Sequence, residues 1–132
     1  MMNQLPIAPV SLSVDLKKYR IRIYKYTLHL LGDPPYIQIL VNPQTRMVAV
    51  KAMDHSTPGD QSHKVSRHVM ASDNSIEIYS RPFVSKLKEV AGHLDSGFTY
   101  KMTGAVFPSQ NVALFEMKTL SKVNNQEDIH GY

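Results

Sequence analysis

Residues 20–25 read RIRIYK, and apolar and polar side chains alternate along them with a period of two. This alternation predicts a half-buried strand, because successive side chains of a strand point to opposite faces of a sheet. Ile21 and Ile23 are expected to face the core, whereas Arg20 and Arg22 are expected to face solvent. The stretch therefore predicts a strand with one apolar face toward the core and one basic face toward solvent.

Around this strand the sequence predicts a unit of order β-β-α-β-β. Residues 10–15 alternate in the same way and form the preceding strand. Residues 26–31 suffice for about two turns of helix, and Gly32 with the following Asp-Pro-Pro ends it. Residues 36–41 and 46–51 then form two strands, joined by the turn sequence Asn-Pro-Gln-Thr.

A similar order recurs in the second half of the chain. Residues 75–80, SIEIYS, match residues 20–25 at an offset of 55 positions. A helix over residues 81–91 is predicted next, with Ser80 as its N-cap and Gly92 at its C-terminus. Two further strands follow it, at residues 98–104 and 112–117.

These correspondences predict an α+β, mainly β fold in which two tandem β-β-α-β-β units form one pseudo-two-fold, β-barrel-like domain. The units span about residues 10–53 and 65–118. Residues 54–64 are expected to be a linker, because they are polar and contain a Pro-Gly break. Residues 119–132 are expected to be a flexible tail. The length of 132 residues is typical of a single domain.

Several protein classes lack their signatures in this chain. It has no run of 18 apolar residues, no positively charged leader at its start and 0 cysteines. We therefore expect a cytoplasmic protein without a spanning helix or a thiolate metal site. Gly-rich phosphate loops, nucleophile elbows and His-Glu-x-x-His motifs are missing, which favours a non-catalytic protein without a cofactor.

Positive charge is concentrated in the first part of the chain. Residues 1–53 contain seven Lys or Arg and two Asp, and so carry +5, whereas residues 54–132 carry −1. Five of the seven basic residues lie within residues 17–25. A one-sided basic field favours polyanions such as nucleic acid or anionic lipid, although it is also compatible with an ordinary solvated face. No basic amphipathic helix supports membrane binding.

Residues 14–32, VDLKKYRIRIYKYTLHLLG, resemble the core of the AbrB-like swapped-hairpin family. The shared pattern is a Val-Asp strand end, a turn, a basic strand and a short helix that ends in Leu-Gly. The two-copy arrangement is similar to the MraZ branch of that family, in which one chain holds both units. The resemblance implies a transcription-regulator-like, DNA-binding protein that forms a homo-oligomer.

The resemblance also implies which residues contact duplex DNA: Arg20 and Arg22, with Lys17, Lys18 and Lys25 nearby. Alternate side chains of a strand lie about 6.6 Å apart, which is the scale of adjacent phosphates. Arginine can bind a phosphate or a guanine with two parallel hydrogen bonds, and lysines add salt-sensitive affinity.

A second class remains open: a protein- or ligand-binding oligomeric scaffold of the same fold with no nucleic-acid role. A regulator needs Arg20 and Arg22 exposed, whereas a scaffold would pair them with acids such as Glu77 or bury them at a subunit contact. Tyr24 and its neighbouring tyrosines could stack on unpaired bases or pack at strand edges, and packing is favoured because Tyr79 repeats the position in a non-basic half.

Three histidines, His55, His63 and His68, lie in or beside the polar segment after the first unit. The five-residue spacing of His63 and His68 is not that of two ligands on one helical face. We therefore interpret this segment as a polar loop and predict no metal site.

Overall fold

The computed structural model describes residues 6–56, 62–65 and 75–123, and strands dominate these ranges. Within these ranges, two α-helices and two short 3-10 turns interrupt the strands. The elements in chain order are β1 (Ile7–Asp15), β2 (Arg20–Tyr24), α1 (Lys25–Leu30), β3 (Tyr36–Asn42), β4 (Met47–Met53), β5 (Ser62–Lys64), β6 (Ser75–Tyr79), α2 (Arg81–Ala91), β7 (Thr99–Phe107), a 3-10 turn (Pro108–Gln110), β8 (Val112–Glu116), a second 3-10 turn (Met117–Thr119) and β9 (Ser121–Lys122).

All nine of these strands belong to one antiparallel sheet that curls into a nearly closed barrel. The strand order is β5-β3-β4-β8-β7-β1-β2-β6, and β9 pairs with β7. The predicted α+β, mainly β, barrel-like class is confirmed. Closure leaves the sheet with an apolar interior and a polar outer face, as in other small barrels whose interiors are filled by side chains.

The interior of the barrel is built from alternate residues of the longer strands. Ile21 and Ile23 of β2 are fully buried, at 0% exposure, while Arg20 and Arg22 lie on the outer face, as the alternation predicts. Ile21 and Ile23 share this core with other buried apolar residues. These include Leu12 and Val14 of β1, Ile76 and Ile78 of β6, Met102 of β7 and, further round the barrel, Phe115 of β8.

The short helix α1 ends just before Gly32, as the sequence predicts. Leu28 is fully buried against the core, and its carbonyl accepts a hydrogen bond from the N–H of Asp33 at 2.9 Å. Gly32 lies between them with φ +85°, a left-handed conformation that glycine adopts without steric cost. The chain therefore turns sharply out of α1 and into β3.

The longer helix α2 packs against residues of both β2 and β3. The hydroxyl of Ser80 accepts a hydrogen bond from the N–H of Phe83 at 3.2 Å, as expected of an N-cap. Gly92 ends the helix with φ +82°, and Val84 and Leu87 are fully buried. The Arg46 guanidinium donates to the Val90 carbonyl at 2.7 Å, which fixes the C-terminus of α2 to the β3–β4 turn.

Three strand pairs join residues 6–53 to residues 75–123: β1 with β7, β2 with β6 and β4 with β8. β2 pairs with β6, with Ile21 opposite Ile78 and Ile23 opposite Ile76. β4 pairs with β8 along residues 47–51 and 112–116. However, β6 lies at the edge of the described sheet, without a second-unit strand beside it that would correspond to β1 beside β2. The tandem-unit organisation is therefore not confirmed and stays a prediction, and most of the expected first strand of the second unit, residues 66–71, lies outside the described residues.

Two segments expected to lack secondary structure contain short strands. Within the predicted linker at residues 54–64, Ser62–Lys64 form β5 and pair with β3. Within the predicted tail at residues 119–132, Ser121–Lys122 form β9 and pair with β7, and the Thr119 hydroxyl accepts from the N–H of Thr103 at 2.9 Å. Strands of two or three residues are too short to show a period-two pattern, so the hydrogen bonds offered by neighbouring strands determine whether they form. Residues 124–132 lie outside the described ranges.

Gly104 of β7 is required by the close approach of β8. A Cβ atom at this position would lie 1.8 Å from the carbonyl oxygen of Leu114, which is a backbone atom and cannot rotate away. We expect Gly104→Ala to lower the free energy of unfolding by roughly 3 kcal/mol, because β7 and β8 must separate. Gly97→Ala is the matched control, since a Cβ there meets no atom within 4 Å, and it should stay within about 0.5 kcal/mol of wild type. Urea denaturation of both variants measures the difference, and equal stabilities would contradict the close approach.

The Ser80 cap predicts a smaller effect. Ser80→Ala leaves the N–H of Phe83 without this acceptor and should reduce the free energy of unfolding by about 1 kcal/mol. Ser85→Ala, on the exposed side of the same helix, should be neutral or slightly stabilising, because alanine has the higher helix propensity. Thermal unfolding by circular dichroism compares the two, and the expectation fails if both behave alike.

Candidate nucleic-acid interface

Arg20 and Arg22, two of the five residues predicted to contact DNA, lie on the outer face of the sheet, where β7, β1, β2 and β6 are neighbours. Ser13 of β1 is opposite Lys101 of β7 on one side and Arg22 of β2 on the other, and Arg22 is opposite Glu77 of β6. Since directly opposed residues share a face, these four side chains form one row across four strands. In the next row, Asp15 of β1 is opposite Arg20, which is opposite Tyr79.

Ion pairs connect the two arginines to two carboxylates. Arg20 lies 3.2 Å from Asp15 Oδ2 and 3.7 Å from Glu77 Oε2, and Arg22 lies 2.6 Å from the same Glu77 Oε2. Two guanidinium groups therefore converge on one carboxylate oxygen. The side chains of Arg20 and Arg22 are 22% and 36% exposed, so solvent reaches both.

Asp15 also shapes the turn between β1 and β2. Its Oδ1 accepts hydrogen bonds from the backbone N–H groups of Lys17 and Lys18, at 3.0 and 3.1 Å. This arrangement is a local Asp-centred turn, and it holds both lysines at the surface. Both lysines are exposed, and neither ammonium group forms an ion pair within the part of the chain that the structure describes.

The fifth predicted contact residue, Lys25, lies at the other end of β2. It begins α1, five residues beyond Arg20, and a strand of that length spans about 16 Å. The structure thus brings Lys17, Lys18 and Arg20 together at one end of the strand, with Arg22 in its middle. Lys25 is half-buried and does not join this group.

Two further cations belong to this surface, and the sequence reasoning missed both. Lys101 is exposed on β7 in the row of Arg22. Arg81, the first residue of α2, places its guanidinium 4.1 Å from the centre of the Tyr19 ring, in the β1–β2 turn. The N–H of Ser80 donates to the Tyr19 carbonyl at 3.0 Å and joins the start of α2 to that turn. Only the sheet register and this contact reveal them, because both residues are distant from residues 17–25 in sequence.

Two tyrosines of this face differ in their environment: Tyr24 is half-buried, whereas Tyr79 is exposed. The Tyr24 hydroxyl lies 2.8 Å from the Ser13 hydroxyl, and the ring is half-buried. Tyr79 is 63% exposed, and its hydroxyl donates to Glu77 Oε1 at 3.5 Å. The packing interpretation of Tyr24 agrees with this contact, whereas Tyr79 extends the polar surface around Glu77.

The histidine segment is placed only in part. His55 is exposed, His63 lies in β5, and His68 is outside the described residues. Across residues 6–56, 62–65 and 75–123, no group of three or more His, Cys, Asp or Glu side chains is arranged to hold a metal ion. His63 instead lines an open groove of about 220 Å³ between β3 and α2, together with Ile39, Leu40, Val41, Ser80, Pro82, Phe83 and Lys86.

No protein-family model, curated protein or solved structure matches this chain. Among the residues that the structure describes, the two helices are too short to cross a bilayer.

His63 gives a prediction for pH dependence. Burial in the groove lowers the pKa of its imidazole below the ordinary value near 6.5, because desolvation disfavours the charged form. The unfolded chain therefore binds this proton more readily, and the contribution of His63 to stability is lost as the pH falls below about 6.5. We expect an NMR titration to give His63 a pKa below 6.5. In His63→Gln, the loss of stability between pH 7 and pH 5.5 should be smaller than in wild type.

Proposed function

We propose that the protein is a DNA-binding, transcription-regulator-like protein that contacts duplex DNA through one basic surface. This basic surface comprises Lys17, Lys18, Arg20, Arg22, Arg81 and Lys101. The observation that carries the proposal is the β1–β2 turn, which presents two exposed lysines directly beside Arg20. A homo-oligomer and a cytoplasmic location are part of the same proposal.

The charges on this surface support binding to a polyanion. Its six cations are accompanied by Asp15 and Glu77, which leaves a net +4, equal to the formal charge of the whole chain. Lysine ammonium groups at a turn tip can approach phosphates with little steric hindrance and release condensed counterions, which is the main source of sequence-independent affinity. The two arginines, held by carboxylates at the strand, are oriented for hydrogen bonding to phosphates or base edges.

A second candidate function is a protein- or ligand-binding scaffold without a nucleic-acid role. One observation favours it: Arg20 and Arg22 are paired with Asp15 and Glu77, which is the arrangement that a scaffold would require. In that case the arginines stabilise the contact between β1, β2 and β6, and the exposed lysines only solvate the surface. The two candidates therefore differ on whether the lysines of the β1–β2 turn contact nucleic acid.

The test compares two double variants of equal charge. Lys17→Glu/Lys18→Glu reverses the turn, and Lys51→Glu/Lys64→Glu reverses two exposed lysines on β4 and β5, away from the basic surface. Fluorescence anisotropy with mixed-sequence duplex DNA, over a range of salt concentrations, gives the affinity and its salt dependence. We expect the turn variant to bind at least about tenfold more weakly, with the log–log salt slope reduced by about two, as the loss of two phosphate contacts requires.

The control variant should keep most of the affinity of wild type, and circular dichroism should show that both variants are folded. Equal weakening of the two variants would mean that only net charge matters and would contradict a localised site. If wild-type protein does not bind DNA even at low salt, the scaffold becomes the better account.

A further inference from the structure

The position of Glu77 suggests more than an ion pair. Its Oε2 atom lies 2.6 Å from Arg22 and 3.7 Å from Arg20, so two guanidinium groups are directed at one anionic oxygen. Arginine pairs that converge in this way are suited to phosphate as well as to carboxylate, because both ligands offer acceptor oxygens to the planar guanidinium. We propose that the pair is a phosphate-binding site that Glu77 occupies in the unliganded protein, and that a DNA phosphate displaces it. This inference rests on the proposed function.

The two carboxylates of the network have different roles in this proposal. Asp15 holds Arg20 from the β1 side at 3.2 Å and also accepts the two N–H groups of the turn, so it is part of the local structure. Glu77 lies on the other side, on β6, and contacts both arginines through a single oxygen. Arg20 therefore keeps one oriented contact when Glu77 leaves, and the site remains assembled for an incoming phosphate.

Glu77 is also accessible and has another partner. Its side chain is 29% exposed, so a ligand can reach the carboxylate from solvent. The hydroxyl of Tyr79, on the same strand, lies 3.5 Å from the other carboxylate oxygen, Oε1. A rotation of the Glu77 side chain toward Tyr79 would therefore give up the arginine contacts while the carboxylate keeps its hydrogen bond to the Tyr79 hydroxyl. Displacement of the carboxylate does not expose an unpaired charge to a dry interior.

Glu77 and a DNA phosphate would compete for the same two arginines, and this competition would lower the affinity for DNA. In wild type, a phosphate must replace a carboxylate that already contacts both arginines, so only part of their interaction energy appears as affinity. Glu77→Gln keeps the size and polarity of the side chain but removes its charge. We expect this variant to bind duplex DNA about tenfold more tightly than wild type, which corresponds to about one charge-assisted hydrogen bond. We also expect the log–log salt slope to become steeper by about one, since one further phosphate is neutralised.

The matched control is Glu89→Gln on the exposed side of α2, where the carboxylate is 73% exposed and lies 3.8 Å from Lys86. Both variants change the formal charge by the same amount, so a general field effect would act on both. Anisotropy titrations of wild type, Glu77→Gln and Glu89→Gln over a range of salt concentrations separate the local from the general effect. Thermal unfolding checks each fold, and Glu77→Thr, which suits a strand, replaces Glu77→Gln if that variant is unfolded.

The outcomes separate the inference from the proposed function. Tighter binding and a steeper salt slope for Glu77→Gln than for Glu89→Gln support the inference. If wild type binds and the two variants bind equally well, the inference is overturned while the proposed function stands. If wild type, Glu77→Gln and Glu89→Gln all fail to bind DNA at low salt, both are overturned.

Discussion

The antiparallel pairing of β2 with β6 is the constraint on which the rest of the structure depends. On its inner face this pairing sets Ile21 against Ile78 and Ile23 against Ile76, which joins the apolar side chains of the two halves in one core. On its outer face the same register sets Arg22 opposite Glu77. Because side chains alternate with a period of two, a slip by one residue would expose the isoleucines and bury the charges. Burial of the isoleucines thus decides where the charged network forms.

The charged network itself contributes little to the stability of the fold. Its side chains are partly buried, with exposures from 13% to 36%, and ion pairs that solvent still reaches are worth about 1 kcal/mol or less each. In the proposed function its effect is larger, because it would determine how much of the arginine charge is available to a ligand. The lysines of the β1–β2 turn differ in this respect, since Asp15 binds their backbone N–H groups and leaves their ammonium groups in solvent. The surface therefore combines compensated arginines with uncompensated lysines, which is why DNA binding and a scaffold role remain distinct, testable proposals.

Much of the fold could be predicted from the sequence, because the longer elements carry strong local signals. Alternation identifies β2 and β6, and Ser80 and the glycines at positions 32 and 92 mark the ends of the helices. The short strands β5 and β9 could not be predicted, since two or three residues carry no period and form only where a neighbouring strand offers hydrogen bonds. Among the candidate site residues, adjacency along the chain grouped Lys25 with Lys17, although a strand of five residues separates them.

The sequence by itself determined the mainly β class, the inward direction of Ile21 and Ile23, the outward direction of Arg20 and Arg22, and the concentration of positive charge in residues 1–53. Each of these properties depends on local pattern or on composition. Only the tertiary structure decided that Glu77 lies against Arg22 and that Lys101 and Arg81 join the same surface. The largest separation along the chain is 88 positions, between Ser13 and Lys101, which lie opposite each other in the sheet. Local propensity does not encode which strands become neighbours when the sheet closes.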